Sequence, residues 1–405
     1  MRWIADIDEI RKGKTTDIYF WRTREILRSL RKDPIVVAEF TAKDLPYGYD
    51  WAIFTGLVEV IELLEGLKID LYALPEGALF YRNEPVMMIE GRYSEFGILE
   101  TAILGLICQA SGVATKAARC RVAGPGKLLL SFGARRMHPA LSPMIERNAY
   151  LGGCDGVSTI LAAERLKISP SGTIPHTLIL ITGSLSEAMK AFDRNIKKGV
   201  KRIALIDTFG DEKFEAIQAA EALGKKLYGV RLDTPHSRRG DLLSIIKEVR
   251  WELDIRGYNH VRIFASGGID EDSIRELNEV CDGYGIGTIL SNARVIDYAM
   301  DIVEINNRLV AKRGKRSGKK GLYYCRICGM SKVAPFGRTP KCYCGRKMVQ
   351  LLRQYLKTGK KTFKRYPSDK KIKTFVASEL AGRLKRTKNL SATGRLVCHS
   401  EFISE

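Results

Sequence analysis

Two apolar runs, residues 261–265 and 283–286, lead into glycine-rich turns: Ser266-Gly267-Gly268 after the first, and Gly285 with Gly287 at the end of the second. Glycine lets backbone N–H groups approach an anion unobstructed, and a helix starting just beyond adds a favourable partial charge. The pair suits one phosphate monoester, although either turn alone is an ordinary tight βα connection. Three further run ends carry charge. Phe132-Gly133-Ala134-Arg135-Arg136 follows residues 127–131, Asp207-Thr208-Phe209-Gly210-Asp211 closes 202–207, and Arg231-Leu232-Asp233-Thr234 closes 226–231. Arginines, carboxylates and glycines gathered at one rim would hold a ligand with several anionic groups and a divalent metal. Salt bridges closing a barrel are the plainer alternative for any single Arg and Asp pair.

A second cluster has metal-ligand spacing. Cys325 and Cys328 are separated by thirteen residues from Cys342 and Cys344, with Gly329 and Gly345 directly after each pair. Four thiolates from two tight turns satisfy tetrahedral zinc, and nothing in the pattern leaves an open catalytic position. Iron or redox chemistry is the alternative. Cys108, Cys120, Cys154, Cys281 and Cys398 show no such spacing and read as small buried hydrophobes.

The elements that must position these residues follow from hydrophobic periodicity. Short apolar strands at 127–131, 154–158, 202–207, 226–231, 261–265 and 283–286 alternate with helical stretches at 186–198, 211–223, 240–255 and 269–280. That alternation predicts an α/β fold with a parallel sheet and crossover helices, an irregular βα barrel with its chemistry just beyond the strands. Upstream, helices over 15–30, 48–64 and 96–118 mix with strands over 34–42, 69–73 and 84–90, which predicts an α+β domain. The expected divisions are 1–118, the barrel over 119–305, a zinc-binding module with a basic helical region over 306–390, and a disordered tail over 391–405.

Composition describes an ordinary globular enzyme, with 45% apolar and 28% charged residues in 405. No secretory leader or membrane-length apolar run stands out, so a cytoplasmic location and no membrane are expected. The formal charge of +21 is uneven: residues 351–390 hold thirteen Lys or Arg against two acids. Such a surface attracts RNA or small polyanions, or is simply solvated. With few aromatics interleaved and no RNA-binding motif, nucleic acid is not the expected partner, and an RNA-associated zinc module on an inactive barrel is the rival reading.

The segments TDIYF, SFGARR, GTIPHT, ALIDTFGD, YGVRLDTP, ASGGID and YGIGT, in this order, resemble the nicotinate phosphoribosyltransferase family, in particular its shorter archaeal form. The resemblance covers residues 15–346 and implies an α/β sandwich domain, an irregular βα barrel and a small zinc-ribbon or knuckle module. It implies a reaction joining nicotinate to phosphoribosyl pyrophosphate in NAD biosynthesis, with Mg2+ and ATP. Quinolinate and nicotinamide phosphoribosyltransferases are the rival enzymes, the first disfavoured by its shorter chain without a cysteine module, the second by its longer chain and by the acidic residue it carries where this chain has Gly267.

By this resemblance Phe132 stacks on the substrate ring, and Tyr19 supplies its other face from a neighbouring subunit of a homodimer or larger homo-oligomer. Arg135 and Arg231 lie near the ring carboxylate and phosphates, where a planar fork of donors suits an anion. Asp207 and Asp233 face the ribose hydroxyls and magnesium. Thr173, Ser266, Gly267, Gly268, Gly285 and Gly287 bind substrate, the last five its 5′-phosphate. His176 is similar to a histidine phosphorylated by ATP, and it is preferred to His138 and His236, which also lie near strand ends.

Overall fold

The computed structural model describes residues 3–234 and 240–393, with side chains as far as Gly382. His236 and the tail from residue 394 onward lie outside the described residues. Two compact units result, one made of Met1–Gly112 with Arg294–Glu405, the other of Val113–Ala293.

The first unit begins with a helix, Ile18–Ser29, followed by β1 (Ile35–Ala42), β2 (Ala52–Ile53), the helix Leu57–Leu64, β3 (Ile69–Ala73), β4 (Leu79–Phe80) and β5 (Pro85–Arg92). The helix predicted over 48–64 starts only at Leu57. Tyr47 and Gly56 take φ of 57° and 92°, and left-handed residues cannot continue a right-handed helix. Val36, Ala38, Phe40 and Ala42 of β1 enter the main core, while Val37 joins Met88 and Val303 in a second cluster. This is the period-2 alternation of a sheet covered on both faces.

The long helix Glu100–Ala123 leads from the first unit to the second. Residues Tyr93–Ala123 are long and apolar enough to span a bilayer, against the expectation of no such run, but 56% of their apolar 18-residue stretch is buried. Ile103 and Ile107 lie in one core and Val113, Ala117 and Cys120 in the other, so this is a core helix.

The second unit is a six-stranded, wholly parallel sheet: β6 (Leu128–Ser131), β7 (Gly156–Val157), β8 (Arg202–Leu205), β9 (Leu227–Leu232), β10 (Arg262–Ala265) and β11 (Gly283–Ile286), in the order β7-β6-β11-β10-β9-β8. Every residue of β8 and β11 is buried, as expected of parallel strands covered on both faces. Consecutive strands β7 and β8 occupy opposite edges, and the connection between them carries the helices Ile160–Leu166, His176–Thr182 and Leu185–Asn195. The sheet is therefore an open, curled half-barrel. The helices Ser142–Gly152, Glu212–Leu223, Leu242–Ile255 and Glu271–Leu277 make the other crossovers, and all C-terminal strand ends share one rim.

The chain then returns to the first unit through β12 (Tyr298–Ile305), β13 (Arg308–Leu309), β14 (Lys320–Tyr324), β15 (Ser331–Pro335), β16 (Val349–Gln350), β17 (Arg353–Lys357), β18 (Lys360–Lys361) and the helix Asp369–Thr393. β12, expected inside the barrel domain, pairs antiparallel with β1, and β17 pairs with β3. They complete a seven-stranded sheet, β13-β12-β1-β5-β3-β17-β18. The cysteine segment belongs to this unit as well: β14, β15 and β16 form a small sheet, and Phe336 beyond it packs edge-on against Tyr72 at 5.2 Å. The first unit thus takes up segments from both ends of the chain, because returning strands are edge partners that a linear pattern does not reveal.

Candidate active site

A cavity of about 710 Å³ opens at the C-terminal rim of the parallel sheet. Ten of the residues singled out in the sequence line it: Phe132, Arg135, Thr173, Arg231, Asp233, Ser266, Gly267, Gly268, Gly285 and Gly287. Arg231, at the end of β9, is the hub. Its Nε donates to Thr173 Oγ1 at 2.9 Å and its Nη1 to Ser266 Oγ at 2.9 Å, with Asp233 Oδ2 3.2 Å from Nη1. Ser266 Oγ in turn donates to Asp233 Oδ1 at 2.8 Å. Four side chains, from the ends of β9 and β10 and from the β7–β8 connection, thus hold one another in place, and the guanidinium lies 5.9 Å from the Phe132 ring centre.

Two glycines are required here by space. A Cβ on Gly285 would lie 2.5 Å from the Phe132 ring, so the bare backbone of β11 is what lets that ring settle against the cavity wall. Gly267 has φ +81°, and a Cβ there would also meet the Asp233 carbonyl at 2.9 Å. The helix N-terminus beyond this turn is already capped: Asp270 accepts from Ser273 N at 2.9 Å, and Glu271 and Asp272 begin the helix. An anion at the turn would meet the loop from Ser266 to Gly268 rather than a helix end.

Asp207 and His176 lie outside the cavity lining but are tied to it. Asp207 Oδ2 accepts from Asp233 N and Thr234 Oγ1, each at 3.1 Å. His176 Nδ1 is 3.0 Å from Thr208 Oγ1, and its Nε2 is 3.9 Å from Asp207 Oδ1. That Oδ1 is buried and makes no hydrogen bond among the described residues. Burial pushes the Asp207 carboxyl above the usual carboxylate range, with His176 and the Thr234 hydroxyl opposing the shift. Tyr19 belongs to the first unit, on the helix Ile18–Ser29, with 56% of its surface exposed.

Sequence reasoning passed over two buried glutamates that hold the strand-end loops. Glu146, fully buried, accepts from Ser158 N (2.7 Å), Ser158 Oγ (2.6 Å), Thr159 N (2.9 Å) and Thr159 Oγ1. Ser158 and Thr159 line the cavity, as does Arg136. Glu215 accepts from Thr208 N, Phe209 N and Gly210 N at 3.0, 2.6 and 2.8 Å, shaping the loop after β8. Both sit on apolar helix stripes, Glu146 beside Ile145 and Ala149 and Glu215 beside Ala216 and Ala219. An acid at a core position is the signal that was available.

The four cysteines converge: their sulfur atoms lie within 4.8 Å of one another, with Cys325 and Cys344 3.6 Å apart and Cys328 and Cys342 3.2 Å apart. Zinc–sulfur bonds of about 2.3 Å in a tetrahedron separate the sulfurs by about 3.8 Å, so the donor set is compatible with a zinc knuckle. Backbone N–H groups led by that of Cys328 draw the Cys325 thiol down to about 6.

Comparison with known proteins extends this geometry. The family described as "Quinolinate phosphoribosyl transferase, N-terminal domain" matches residues 17–111, and its C-terminal domain matches 113–301. An open parallel half-barrel with such a rim, preceded by this sheet domain, defines an enzyme of the phosphoribosyltransferase type. Nicotinate phosphoribosyltransferase pncB2 of Mycobacterium tuberculosis is 30% identical over 346 residues, spanning 76% of this chain and 73% of the relative. The Bacillus subtilis nicotinate phosphoribosyltransferase is 30% identical over 64% of this chain and 59% of its own. The crystal structure of nicotinate-nucleotide pyrophosphorylase from Pyrococcus furiosus superimposes with a TM-score of 0.91 at 47% identity, covering 94% of this chain and 97% of that one. Human nicotinic acid phosphoribosyltransferase shares the fold, with a TM-score of 0.73 at 21% identity over 90% of this chain and 93% of the human one. The chain belongs to the nicotinate phosphoribosyltransferase family.

Proposed function

We propose that this protein is a nicotinate phosphoribosyltransferase serving NAD biosynthesis in the cytoplasm. The pyridine nitrogen of nicotinate forms a bond to C1 of phosphoribosyl pyrophosphate as the C1–O bond to pyrophosphate breaks, giving nicotinate mononucleotide and pyrophosphate. The observation that carries the reading is the Arg231, Asp233, Ser266 and Thr173 network beside Phe132 in one cavity of about 710 Å³. A displacement through an oxocarbenium-like centre needs a flat ring and two anions held in line, with charge supplied to the leaving group. Phe132 offers the ring face, and Arg135 and Arg231 offer donors to carboxylate and phosphate. The loops at Ser266 to Gly268 and Gly285 to Gly287 offer a small concave wall to the 5′-phosphate.

Asp207 and Asp233 suit a magnesium ion and the ribose hydroxyls. The buried Oδ1 of Asp207, which has no hydrogen-bond partner among the described residues, is the kind of oxygen a hard cation takes up, and bound Mg2+ would neutralise the pyrophosphate. His176 fits the ATP-coupled step: Thr208 engages Nδ1, leaving Nε2 to accept the γ-phosphoryl group of ATP with release of ADP. Hydrolysis of the phosphohistidine then returns phosphate. A zinc ion on the four cysteines has a structural role.

Exposed apolar residues on both units support a homodimer with shared sites. Ile18, Tyr19, Ile26 and Leu30 on one unit, and Ile160 and Leu161 with Leu180 and Ile181 of the His176 helix on the other, are 47–79% exposed. In such a dimer Tyr19 would serve the partner's ring site.

The test is product formation from phosphoribosyl pyrophosphate and magnesium with nicotinate, nicotinamide or quinolinate offered separately, each with and without ATP. Mononucleotide from nicotinate, stimulated by ATP, is expected. Product from quinolinate with release of carbon dioxide, or from nicotinamide, would replace the substrate, and product indifferent to ATP would remove the coupling.

A further inference from the structure

Two neighbouring basic stretches of this chain differ in how their charge is used. Between residues 312 and 320 the lysines are neutralised within the fold: Lys312 and Lys315 lie 2.6 and 2.8 Å from Asp301, Lys319 2.6 Å from Glu90, and Lys320 3.2 Å from Glu39. The cysteine ribbon that follows, residues 321–348, holds six Lys or Arg and no Asp or Glu. Arg326, Lys332, Arg338, Lys341, Arg346 and Lys347 are all exposed, and among the described residues none of them forms an ion pair. A folded module leaves such a surface unbalanced only at the cost of self-repulsion, which a polyanion relieves by displacing the counterions it has gathered.

The ribbon also presents flat and apolar groups beside this charge. Each cysteine turn projects one: Ile327, between Cys325 and Cys328, is 76% exposed, and Tyr343, between Cys342 and Cys344, is 70% exposed. The sulfur contacts of 3.2 and 3.6 Å hold the two turns together, so both groups stand on one tip, and Lys332 Nζ lies 5.4 Å from the centre of the Tyr343 ring. Sequence reasoning set nucleic acid aside because few aromatics interleave with the charges. The fold supplies the juxtaposition instead, placing an exposed aromatic and an exposed aliphatic side chain among cations that lie apart in the chain. An aromatic ring exposed to this extent beside Lys and Arg is a stacking platform for an unpaired base, a feature that neither duplex nor lipid headgroups exploit.

We propose that the tip of the cysteine ribbon is a docking surface for single-stranded RNA, separate from the barrel cavity and independent of which pyridine that cavity uses. Phosphates lie along Arg326, Lys341, Arg346 and Lys347, and a base stacks on Tyr343.

The experiment uses the full chain and a fluorescent oligouridylate in anisotropy titrations between about 50 and 200 mM salt, where counterion release makes affinity fall steeply. Duplex RNA of the same length and vesicles containing anionic phospholipid serve as the other probes. Binding of the single strand is expected to weaken by at least about tenfold across this salt range. The double reversal R326E/K347E should weaken it at least about tenfold at fixed salt, and Tyr343→Ala several-fold with a smaller change in salt slope, both with unchanged phosphoribosyl transfer and metal content. The K370A/K371A variant, on the separate C-terminal helix, should bind as the parent does. No binding at 50 mM salt, reversal variants that bind as tightly as the parent, duplex bound as tightly as the single strand, or vesicle binding in place of RNA binding would each overturn the proposal.

Discussion

Asp233 shows how much of the site rests on one carboxylate. Its two oxygens receive Ser266 Oγ and face Arg231 Nη1, while its backbone N–H donates to Asp207. Removing it leaves the Arg231 cation without its nearest counter-charge and turns the Ser266 hydroxyl to its remaining acceptor, the Leu232 carbonyl at 3.1 Å, while the surrounding strands remain packed. Asp233→Ala should therefore lower kcat/KM for transfer by about a thousandfold or more and leave the circular dichroism spectrum unchanged, the scale expected when a preorganised polar group is lost from an active site. Near-normal activity in that variant would remove this carboxylate from the site. A second carboxyl makes a prediction of a different kind. Glu84 is buried, accepts from Tyr81 N at 2.9 Å and from Ser331 Oγ, and burial pushes it up to about 7 from an ordinary value of 4.5. Its pKa is higher in the folded than in the unfolded chain, so the folded state binds its proton more tightly. Its contribution is most favourable below about 4.5 and is lost as pH rises through 7. Glu84→Gln, whose amide can meet both partners, should flatten the decline in thermal midpoint between pH 5 and 8. At pH 8 it should stabilise the fold by roughly 2–3 kcal/mol. Parallel pH profiles for the two proteins would show that Glu84 ionises without penalty.

At the scale of elements, the loops after β7 and β8 are shaped from beneath by buried carboxylates. Glu146 accepts four hydrogen bonds from Ser158 and Thr159, more than an amide can replace without setting its N–H2 against a donor. Glu146→Gln should lower stability by roughly 2 kcal/mol and raise KM for phosphoribosyl pyrophosphate about tenfold with a smaller change in kcat, because the cavity wall rather than the reacting centre loosens. A fall in kcat with unchanged KM would mean that these loops act on chemistry instead of on binding. The same elements show what was readable beforehand. The six parallel strands were legible because burial on both faces makes each a compact apolar run, and the rim residues because polar groups interrupt the pattern at its end. Glu146 and Glu215 were not, since a single acid on an apolar stripe carries no spacing signature. The pairing of β12 with β1 was not legible either, because β1 lies more than 250 residues earlier and no local pattern encodes that partnership. The helix predicted over 48–64 failed at Gly56, whose left-handed conformation starts the helix late.

For the whole molecule, the decisive matter is whether one chain holds a complete site. Phe132 belongs to the second unit and Tyr19 to the first, where the exposed stripe Ile18, Tyr19, Ile26 and Leu30 has an apolar extent that a partner chain would cover. If Tyr19 of one copy serves the cavity of another, damage to Tyr19 and damage to Asp233 fall on different subunits of the same site. Tyr19→Ala and Asp233→Ala chains should each be weakly active alone. Unfolded together in equal amounts and refolded, they should regain about a quarter of parental activity. Random pairing makes half the dimers hybrid, and each hybrid has one site combining the intact Asp233 of one chain with the intact Tyr19 of the other. Size-exclusion chromatography of the mixture confirms that the dimer has reformed. Activity equal to the mean of the two separate variants, in a sample that is demonstrably dimeric, would place Tyr19 and Asp233 in service of the same chain's cavity or leave Tyr19 without a role in the site.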